Sequence, residues 1–367
     1  MENRIGIITY HRAINYGAIL QAYALQTKLN EFGAQSIILD YRNKRLEKIH
    51  SRKNITDCKK PKEFARYLLL YRNFNKRHDK FREFSKNYLK LSSPMYSIDD
   101  LAECERKYDL FIVGSDQVWN YEINGMDYTY FLDFVKNKSK NKSYAASFGL
   151  SKIPEEYKQT YKKLLIGFDS ILIREKQGAR IIKELLFKEC PIVLDPTMLL
   201  SKDKWLILSN NTRYFNERYI LVYAFGNSPT MKDLAINISK KTGFKILWIA
   251  NTYKINKRIK YIKFAGPEEF ISLFSNAEYI ITNSFHGTAF SINFNKQFFT
   301  ELRDSSRVNS RLEDILDIFG LQERRIISDD ASVINSRINY ETVNKKLEKE
   351  REKSIRLLKN SIHINEN

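Results

Sequence analysis

The segment IGIITYHRAINYGAILQAYALQTKLNEFGAQSIILDY, Ile5–Tyr41, decides the fold. It opens with a short apolar run, Ile5–Tyr10, that has the length of a buried strand. After a loop at His11–Gly17, apolar residues recur at helical spacing and end at a glycine: Ile19, Ala22, Tyr23, Leu25, Leu29, Phe32 and then Gly33. A second apolar run, Gln35–Tyr41, follows. This strand–helix–strand order predicts a βαβ unit with two parallel strands.

The same alternation continues along the chain. Further strands are predicted at Leu110–Val113, Ser143–Gly149, Ser170–Lys176, Pro191–Pro196, Tyr219–Gly226, Phe244–Ala250, Tyr279–Ser284 and Gln297–Leu302. Helices are predicted near Gly178–Lys188, Met231–Thr242, Pro267–Ala277 and Gly287–Phe294. A polar turn is predicted at Gly114–Asp116, and residues 199–216 show little pattern.

The alternation stops and restarts, which predicts two α/β domains. We expect an N-terminal Rossmann-like lobe at residues 1–200, with a basic helical insert at about 41–98, and a C-terminal Rossmann-like lobe at 201–335. The lobes are expected to face each other across a cleft. Residues 336–367 are predicted to form a charged helix that packs on a lobe or crosses between the two lobes.

The bulk composition indicates a globular protein. Of the 367 residues, 43% are hydrophobic and 29% charged. No apolar run approaches the roughly 20 residues of a membrane-spanning helix, and Met1–Ile8 is too short for a signal peptide, so we expect a cytoplasmic protein. Cys58, Cys104 and Cys190 are scattered, which argues against a disulfide framework and a zinc site.

The formal net charge of +19 is concentrated in the predicted insert. Residues 41–90 contain 17 Lys/Arg and 5 Asp/Glu. This segment is either a solvated helical face or a surface for an anionic partner, such as acidic lipid headgroups, nucleic acid or a phosphorylated substrate. It has no recognisable nucleic-acid-binding motif, so we do not expect a nucleic-acid partner.

Several sequence signatures are missing. None of the glycines forms a G-x-G, and there is no P-loop, no H-E-x-x-H and no D-x-D. The sequence therefore predicts a reaction that uses neither a resident metal ion nor a cofactor.

Polar groups follow four predicted strands, where ligands bind in open α/β sheets. The candidate residues are Asn15, Tyr16 and Gly17; Ser115 and Asp116; Arg174 and Glu175; and Ser284, His286, Gly287 and Thr288. A purely structural role is the alternative for several of these residues. In that case Asp116 would cap a turn, Arg174 and Glu175 would form a surface ion pair, and Tyr16 and Trp119 would be core aromatics.

His286 lies where a strand is predicted to give way to a helix, with Ser284 as the N-cap. A helix N-terminus presents unpaired N–H groups and a partial positive charge, which suits an anion. Gly287 would let a ligand approach the backbone, and the imidazole could donate to a phosphate or pass a proton. The alternative is a histidine that only satisfies backbone groups.

Six segments, taken in order, resemble the motif string of the polysaccharide pyruvyl transferase family. They are IGIITYHRAINYGAILQAYAL, DLFIVGSDQVWN, SYAASFG, ILIREKQGA, VLDPTMLL and ITNSFHGTAFSINF. The resemblance extends from about Ile5 to Leu321 and implies a GT-B-like fold. It also implies transfer of the enolpyruvyl unit of phosphoenolpyruvate, the donor substrate, onto two hydroxyls of a sugar, giving a cyclic ketal in surface polysaccharide biosynthesis.

The resemblance implies roles for particular residues. Arg174 would hold the carboxylate or phosphate of the donor, and His286 would act on the phosphate or donate a proton. Asp116 is our candidate base or acceptor of a sugar hydroxyl, while Asn15 and Tyr16 would bind the acceptor, a glycan or a lipid-linked sugar. Several members carry an arginine where this chain has Ser284. Either Arg303, Arg307 or Arg311 supplies that charge or the donor differs, and Arg307 is our candidate for the substrate site.

Two other functions stay open. The first is a GT-B-type glycosyltransferase with a nucleotide-sugar donor, although the pair of glutamates eight residues apart is missing, since Ala277 follows Glu269 at that distance. The second is a non-enzymatic protein whose basic insert binds an anionic polymer or lipid. In an intermediate reading, the insert brings a soluble enzyme to the inner membrane face.

Overall fold

The structure, a computed structural model, describes residues 3–51, 61–67, 72–209, 215–250, 256–302 and 309–363. The chain divides into two compact units. The first unit comprises Met1–His50, Ser85–Leu200 and Leu347–Asn367, and the second comprises Ser51–Phe84 and Ser201–Lys346.

The first unit contains a five-stranded sheet in which all paired strands are parallel. Its strands are β1 (Arg4–Ile8), β2 (Gln35–Ile38), β3 (Leu110–Asp116), β4 (Asn141–Ala146) and β5 (Ser170–Ile173). They are arranged in the order β2-β1-β3-β4-β5. The central strands β3 and β4 are buried along almost their whole length, as expected when helices cover both faces of a parallel sheet.

The second unit contains another five-stranded parallel sheet. Its strands are β6 (Tyr219–Tyr223), β7 (Lys245–Ile249), β8 (Ile259–Ile262), β9 (Tyr279–Thr282) and β10 (Gln297–Thr300). The order β10-β9-β6-β7-β8 is the Rossmann arrangement, because the chain builds outward from β6 in one direction and then in the other. The predicted α/β class with two Rossmann-like sheets is therefore confirmed.

Helices connect the strands. They are α1 (Tyr16–Glu31), α2 (Lys44–His50), α3 (Pro61–Arg66), α4 (Arg72–Tyr88), α5 (Ile98–Ala102), α6 (Tyr121–Asn124), α7 (Glu155–Ile166), α8 (Lys176–Leu186), α9 (Lys202–Leu208), α10 (Pro229–Thr242), α11 (Pro267–Asn276), α12 (Phe285–Asn293), α13 (Asn309–Phe319) and α14 (Tyr340–Ser361). None of the helices that the structure describes combines the length and the apolar character of a bilayer-spanning segment.

Two predicted elements differ from the structure. Gly114–Asp116, predicted as a turn, belongs to β3, because Gly114 and Asp116 pair with Tyr144 and Ala146 of β4 through backbone atoms. Pro191–Pro196, predicted as a strand, makes a single bridge between Ile192 and Ile173 and then turns. The helices α6, α7, α9 and α13 and the strand β8 were not predicted.

The predicted insert is divided between the units. Ser51–Phe84 belongs to the second unit, whereas the sequence-based boundaries had assigned it to the N-terminal lobe. In the second unit the ammonium group of Lys80 pairs with Glu269 at the start of α11, and the ammonium of Lys76 lies 5.3 Å from the centre of the Phe264 ring. The last helix, α14, also has residues in both units.

Candidate functional site

In the first unit, the strand order reverses between β1 and β3. Ligands of open α/β sheets bind at such a switch point. Two polar side chains, Gln21 and Thr9, fix the ends of these strands through the backbone of Ser115. Gln21 of α1 donates to Thr9 Oγ1 at 2.8 Å and accepts from the Ser115 amide at 3.0 Å. Thr9 Oγ1 donates in turn to Ser115 O at 3.2 Å. Ser115, one of the predicted site residues, is therefore a buried part of the frame that holds the end of β3.

Asp116 ends β3 with a left-handed backbone, φ 73°. Outside glycine such a conformation is uncommon, and aspartate is one of the few residues that adopt it more often than the rest. Its carboxylate accepts from the Gln117 amide at 2.9 Å, and its carbonyl accepts from the amides of Val118 and Ser147. The backbone thus holds Asp116 firmly at the carboxyl end of the sheet.

Arg174, directly after β5, lies among three carboxylates. Its Nη1 donates to Asp195 at 2.9 Å, its Nη2 lies 3.6 Å from Asp116, and its Nε lies 3.7 Å from Glu175. Burial lowers the pKa of the guanidinium, but the three carboxylates, Asp195 first, raise that pKa above its ordinary value. The group therefore stays charged.

The side chains of this cluster differ in solvent exposure. The side chains of Arg174, Glu175 and Asp195 are almost completely buried, while that of Asp116 is 13% exposed. A substrate that reaches the cluster from solvent would therefore meet Asp116 first. The predicted role of Arg174 in holding the carboxylate or phosphate of the donor remains a prediction, and its guanidinium faces carboxylates in this structure.

Glu175 ties the ends of β4 and β5 together. Its Oε1 accepts from Ser147 Oγ at 2.9 Å and from the Phe148 amide at 3.3 Å. These donors lie directly after β4. The Glu175 carboxylate therefore links the ends of two strands, in addition to its interaction with Arg174.

The predicted acceptor-binding residues stand at the start of α1. Asn15 is its N-cap, with the side-chain oxygen accepting from the Ala18 amide at 3.3 Å. Tyr16 and Gly17 are buried in the first turn, so Tyr16 is a core aromatic, as is Trp119. Contact of these residues with an acceptor stays a prediction.

A second charged group follows β1 and β2. Nε2 of the buried His11 lies 3.1 Å from Asp40 Oδ1, and Arg12 and Arg42 also contact this carboxylate. Burial raises the pKa of Asp40, but the contacts with His11, Arg42 and Arg12 outweigh burial and lower that pKa to about 2.

In the second unit, the switch point lies between β6 and β9. Asn283, directly after β9, accepts from the Phe225 amide at 2.8 Å and donates to the Phe225 carbonyl at 3.2 Å, which joins the two strand ends. Ser228, the N-cap of α10, donates to Glu301 after β10 at 2.5 Å. Asn283 and Glu301 were not among the predicted residues.

His286 occupies the first turn of α12, as predicted. Ser284 is the N-cap, and its Oγ accepts from the Gly287 amide at 3.3 Å. The imidazole is largely buried, with its centre 5.3 Å from that of the Phe285 ring. The histidine thus stands at the positive end of a helix dipole.

The structure gives Gly287 and Thr288 packing roles. A Cβ atom at Gly287 would lie 2.2 Å from Thr282 Oγ1, so the glycine lets α12 approach β9. Thr288 Oγ1 lies 3.2 Å from Thr300 Oγ1 and is inaccessible to solvent, which links α12 to β10. The position of Gly287 is thus explained by Thr282, and the predicted ligand approach is not needed to account for it.

The structure describes one of the three arginines that were predicted to supply a positive charge. Arg303 and Arg307 lie outside the described residues. Arg311 is buried in α13. In the described ranges, no three His, Cys, Asp or Glu side chains are grouped as metal ligands.

Asp195 was missed as a site residue. The sequence signal was present in part, because Asp-Pro-Thr is typical of an aspartate that caps a short helical turn, here Pro196–Met198. Its other partners, Ser115 and Arg174, are 80 and 21 residues away, and no local pattern indicates them.

Comparisons with known proteins bear on both fold and function. A family model described as polysaccharide pyruvyl transferase matches residues 15–304. No curated protein sequence matches the chain.

Solved structures resemble the chain in fold. A UDP-GlcNAc 2-epimerase from Neisseria meningitidis, bound to UDP-GlcNAc, has a TM-score of 0.56 with 11% identity, and the match covers 100% of both chains. The epimerase from Methanocaldococcus jannaschii has a TM-score of 0.51 with 16% identity, covering 95% of this chain and 92% of that one. These neighbours have the GT-B fold, which confirms the predicted GT-B-like class.

Proposed function

Because the chain belongs to the polysaccharide pyruvyl transferase family, we propose that it transfers the enolpyruvyl group of phosphoenolpyruvate onto two hydroxyls of a glycan sugar. The product is a pyruvate ketal, made during the biosynthesis of a surface polysaccharide. The family match over residues 15–304 carries this proposal. The acceptor is a glycan or lipid-linked sugar, and phosphoenolpyruvate serves as donor without a resident metal or cofactor.

The reaction balances without a further reactant. A general acid protonates the methylene carbon, so C2 becomes an oxocarbenium-like centre. One sugar hydroxyl then attacks C2 and gives up its proton. Phosphate leaves with the bridging oxygen, and the second hydroxyl attacks the new cation to close the ring. Of the two hydroxyl protons, one replaces the proton delivered to the methyl group and the other leaves on phosphate.

Asp116 is the proposed base that accepts a proton from the sugar hydroxyl. Two observations support this role. It is the most exposed of the three carboxylates around Arg174, and its backbone is held by hydrogen bonds at the end of β3. General-base catalysis by a positioned side chain contributes about 10²–10⁴-fold to a rate.

Arg174 and His286 are the proposed partners of the donor. Arg174 supplies a permanent positive charge at the end of β5. His286 stands at the N-terminus of α12, where amide groups and the helix dipole favour an anion such as phosphate. We propose that His286 either binds the phosphate or protonates the methylene carbon.

The test is release of phosphate from phosphoenolpyruvate in the presence of galactosides and mannosamine-type acceptors. Acceptors in which one of the two hydroxyls is methylated are the matched controls, because they can add once but cannot close the ring. Phosphate release with the diol and a ketal in the product support the proposal. The absence of phosphate release across the panel, with no thermal shift on adding phosphoenolpyruvate, contradicts it.

A second candidate is a GT-B-type glycosyltransferase with a nucleotide-sugar donor. It is favoured by the Rossmann strand order of the second sheet, with its switch point between β6 and β9, and by the structural neighbour bound to UDP-GlcNAc. A thermal upshift with UDP- or GDP-sugars and none with phosphoenolpyruvate would select this candidate.

We also propose that the basic segment contacts an anionic membrane surface peripherally and so brings a cytoplasmic enzyme to a lipid-linked acceptor. Lys44, Arg45 and Lys48 of α2 are exposed and support this proposal. Flotation with phosphatidylserine vesicles, compared with a variant in which these three residues are replaced by Gln, tests it. Equal flotation of the two proteins contradicts it, and flotation without any transferase activity would favour the non-enzymatic binder.

A further inference from the structure

We propose that Asp195 is a positioning residue that holds the Arg174 guanidinium away from Asp116. The inference rests on the proposed function, in which Asp116 accepts a proton from the sugar. By holding the guanidinium, Asp195 leaves the Asp116 carboxylate available to the substrate.

The Asp195 carboxylate is fixed by four contacts. Its Oδ1 accepts from the amide and the hydroxyl of Thr197, at 3.0 and 2.8 Å. Its Oδ2 lies 3.0 Å from Ser115 Oγ and accepts from Arg174 Nη1 at 2.9 Å. Because the side chain is inaccessible to solvent, no water competes for these contacts. Asp195 is therefore a rigid acceptor that determines where the guanidinium lies.

The distances show that the Arg174 guanidinium is hydrogen-bonded to Asp195 but not to Asp116. The contact with Asp195 has the length of a charge-assisted hydrogen bond. The Nη2–Oδ1 distance of 3.6 Å to Asp116 exceeds the range for a hydrogen bond, so that attraction is Coulombic only. If Asp195 lost its charge, Asp116 would become a better acceptor for the guanidinium than position 195. A shift of less than about 1 Å would then give an Arg174–Asp116 hydrogen bond.

Asp195 also acts through the chain. Ser115, which it contacts, directly precedes Asp116 in β3. The same carboxylate thus restrains the backbone beside Asp116 and the cation that faces it. A hydrogen bond from Arg174 would compete with the substrate hydroxyl for Asp116 and would make its carboxylate a weaker base.

The test compares Asp195→Asn with the unaltered enzyme in the phosphate-release assay. Among the described residues of the first unit, Arg174 and Tyr10 interact electrostatically with Asp116, and Glu175 and Asp195 act on the same guanidinium. We expect kcat to fall by up to about 10²-fold, within the range of general-base catalysis, and the acidic limb of the pH profile to move to lower pH. The acidic limb moves to lower pH because a closer guanidinium favours the ionised form of Asp116.

A double-mutant cycle separates positioning from a merely structural role. If Asp195 acts through Arg174, the change caused by Asp195→Asn disappears in an Arg174→Gln background. Asp169→Asn, which breaks an ion pair with Lys142 directly before β5, is the matched control and should leave kcat and the acidic limb unchanged. An unmoved acidic limb in Asp195→Asn, or an equal effect in both Arg174 backgrounds, overturns the inference.

A measurement without turnover distinguishes this inference from the proposed function. The Nε–H and Nη–H signals of Arg174 in ¹⁵N-arginine NMR, assigned by their loss in Arg174→Gln, should shift and exchange faster in Asp195→Asn. If the unaltered protein releases no phosphate with any acceptor, the proposed function fails and this measurement alone decides. Unchanged Arg174 signals in Asp195→Asn would then overturn the inference.

Discussion

Thr282 occupies the space beside Gly287: a Cβ atom at position 287 would lie 2.2 Å from the Thr282 hydroxyl oxygen. That oxygen also donates to the Tyr223 carbonyl at 2.6 Å and accepts from the Ser284 amide at 3.1 Å, so it cannot move without breaking both contacts. The start of α12, which holds His286, is therefore set by close packing of one helix against one strand.

Gly287→Ala is expected to destabilise the protein by about 1–3 kcal/mol, because the added methyl overpacks a buried contact. The measurement is urea unfolding of Gly287→Ala, Thr282→Ala and the double variant. We expect the double variant to be less destabilised than the sum of the single ones, since removing the Thr282 hydroxyl makes room for the methyl. Additive effects would show that the two positions do not compete for space.

Much of the fold could be predicted, for physical reasons. The strands β1, β6 and β9 are buried on both faces, so their sequences are continuous apolar runs. The end of β3 was mistaken for a turn because Gly114–Asp116 looks polar, whereas its pairing with β4 uses backbone atoms that side chains do not reveal. The strand β8, IKYI, is short and half-exposed and has no distinct pattern.

The candidate site could be predicted only in part. Strand ends indicated Asp116, Arg174 and His286, because ligands bind at the carboxyl ends of parallel strands. The partner that fixes Arg174 could not be predicted, since Asp195 lies in a segment predicted as a strand, Pro191–Pro196, and instead caps the turn at Pro196–Met198. Gly287 shows the opposite limit: its neighbour, Thr282, is close in sequence, but the contact depends on how α12 packs on β9.

Asp40 is expected to make stability depend on acid. Its pKa of about 2 lies below the value of an unfolded aspartate, about 3.9. Its contribution, about 2–3 kcal/mol, is therefore fully present above about pH 5 and is lost as the pH falls through 2. Asp40→Asn should be destabilised by about that amount at pH 7 in urea unfolding, and the difference from the unaltered protein should be about half as large near pH 3.

The control for Asp40 is Asp109→Asn. The Asp109 carboxylate lies 3.8 Å from Arg4 Nε in an exposed pair and accepts from the Arg4 amide at 2.8 Å. Because the side-chain oxygen of Asn can also accept from that amide, we expect a change of less than about 1 kcal/mol at any pH. A pH-independent difference for Asp40→Asn would show that the carboxylate contributes through shape and not through charge.

Lys142 of β4 is a buried cation whose partner, Asp169, is 47% exposed. Removing the partner leaves the ammonium group buried without its carboxylate, so Asp169→Asn should cost about 1–3 kcal/mol. Lys142→Met removes the charge and keeps an apolar side chain of similar length, so it should cost less. Thermal unfolding of both variants is the measurement, and a larger loss in Lys142→Met would contradict this asymmetry.

His286→Asn is expected to lower kcat for phosphate release by about 10²–10³-fold, the usual loss for one positioned donor. Ser284→Ala removes the N-cap of α12 but keeps the imidazole. It should lower the free energy of unfolding by about 1 kcal/mol and reduce kcat much less than His286→Asn does. Steady-state kinetics together with thermal unfolding separate the two effects. Equal losses of activity in both variants would mean that His286 serves the helix and not the reaction.

The proposed reaction converts phosphoenolpyruvate and a sugar diol into a pyruvate ketal. ¹³C NMR with phosphoenolpyruvate labelled at C2 follows the reacting carbon itself. We predict that the labelled carbon moves from the enol-phosphate region to the ketal region as phosphate appears, only with a diol acceptor, and that Asp116→Asn abolishes the change. A C2 signal that stays in the enol-phosphate region with every acceptor, while a UDP- or GDP-sugar is consumed instead, would contradict the proposed reaction.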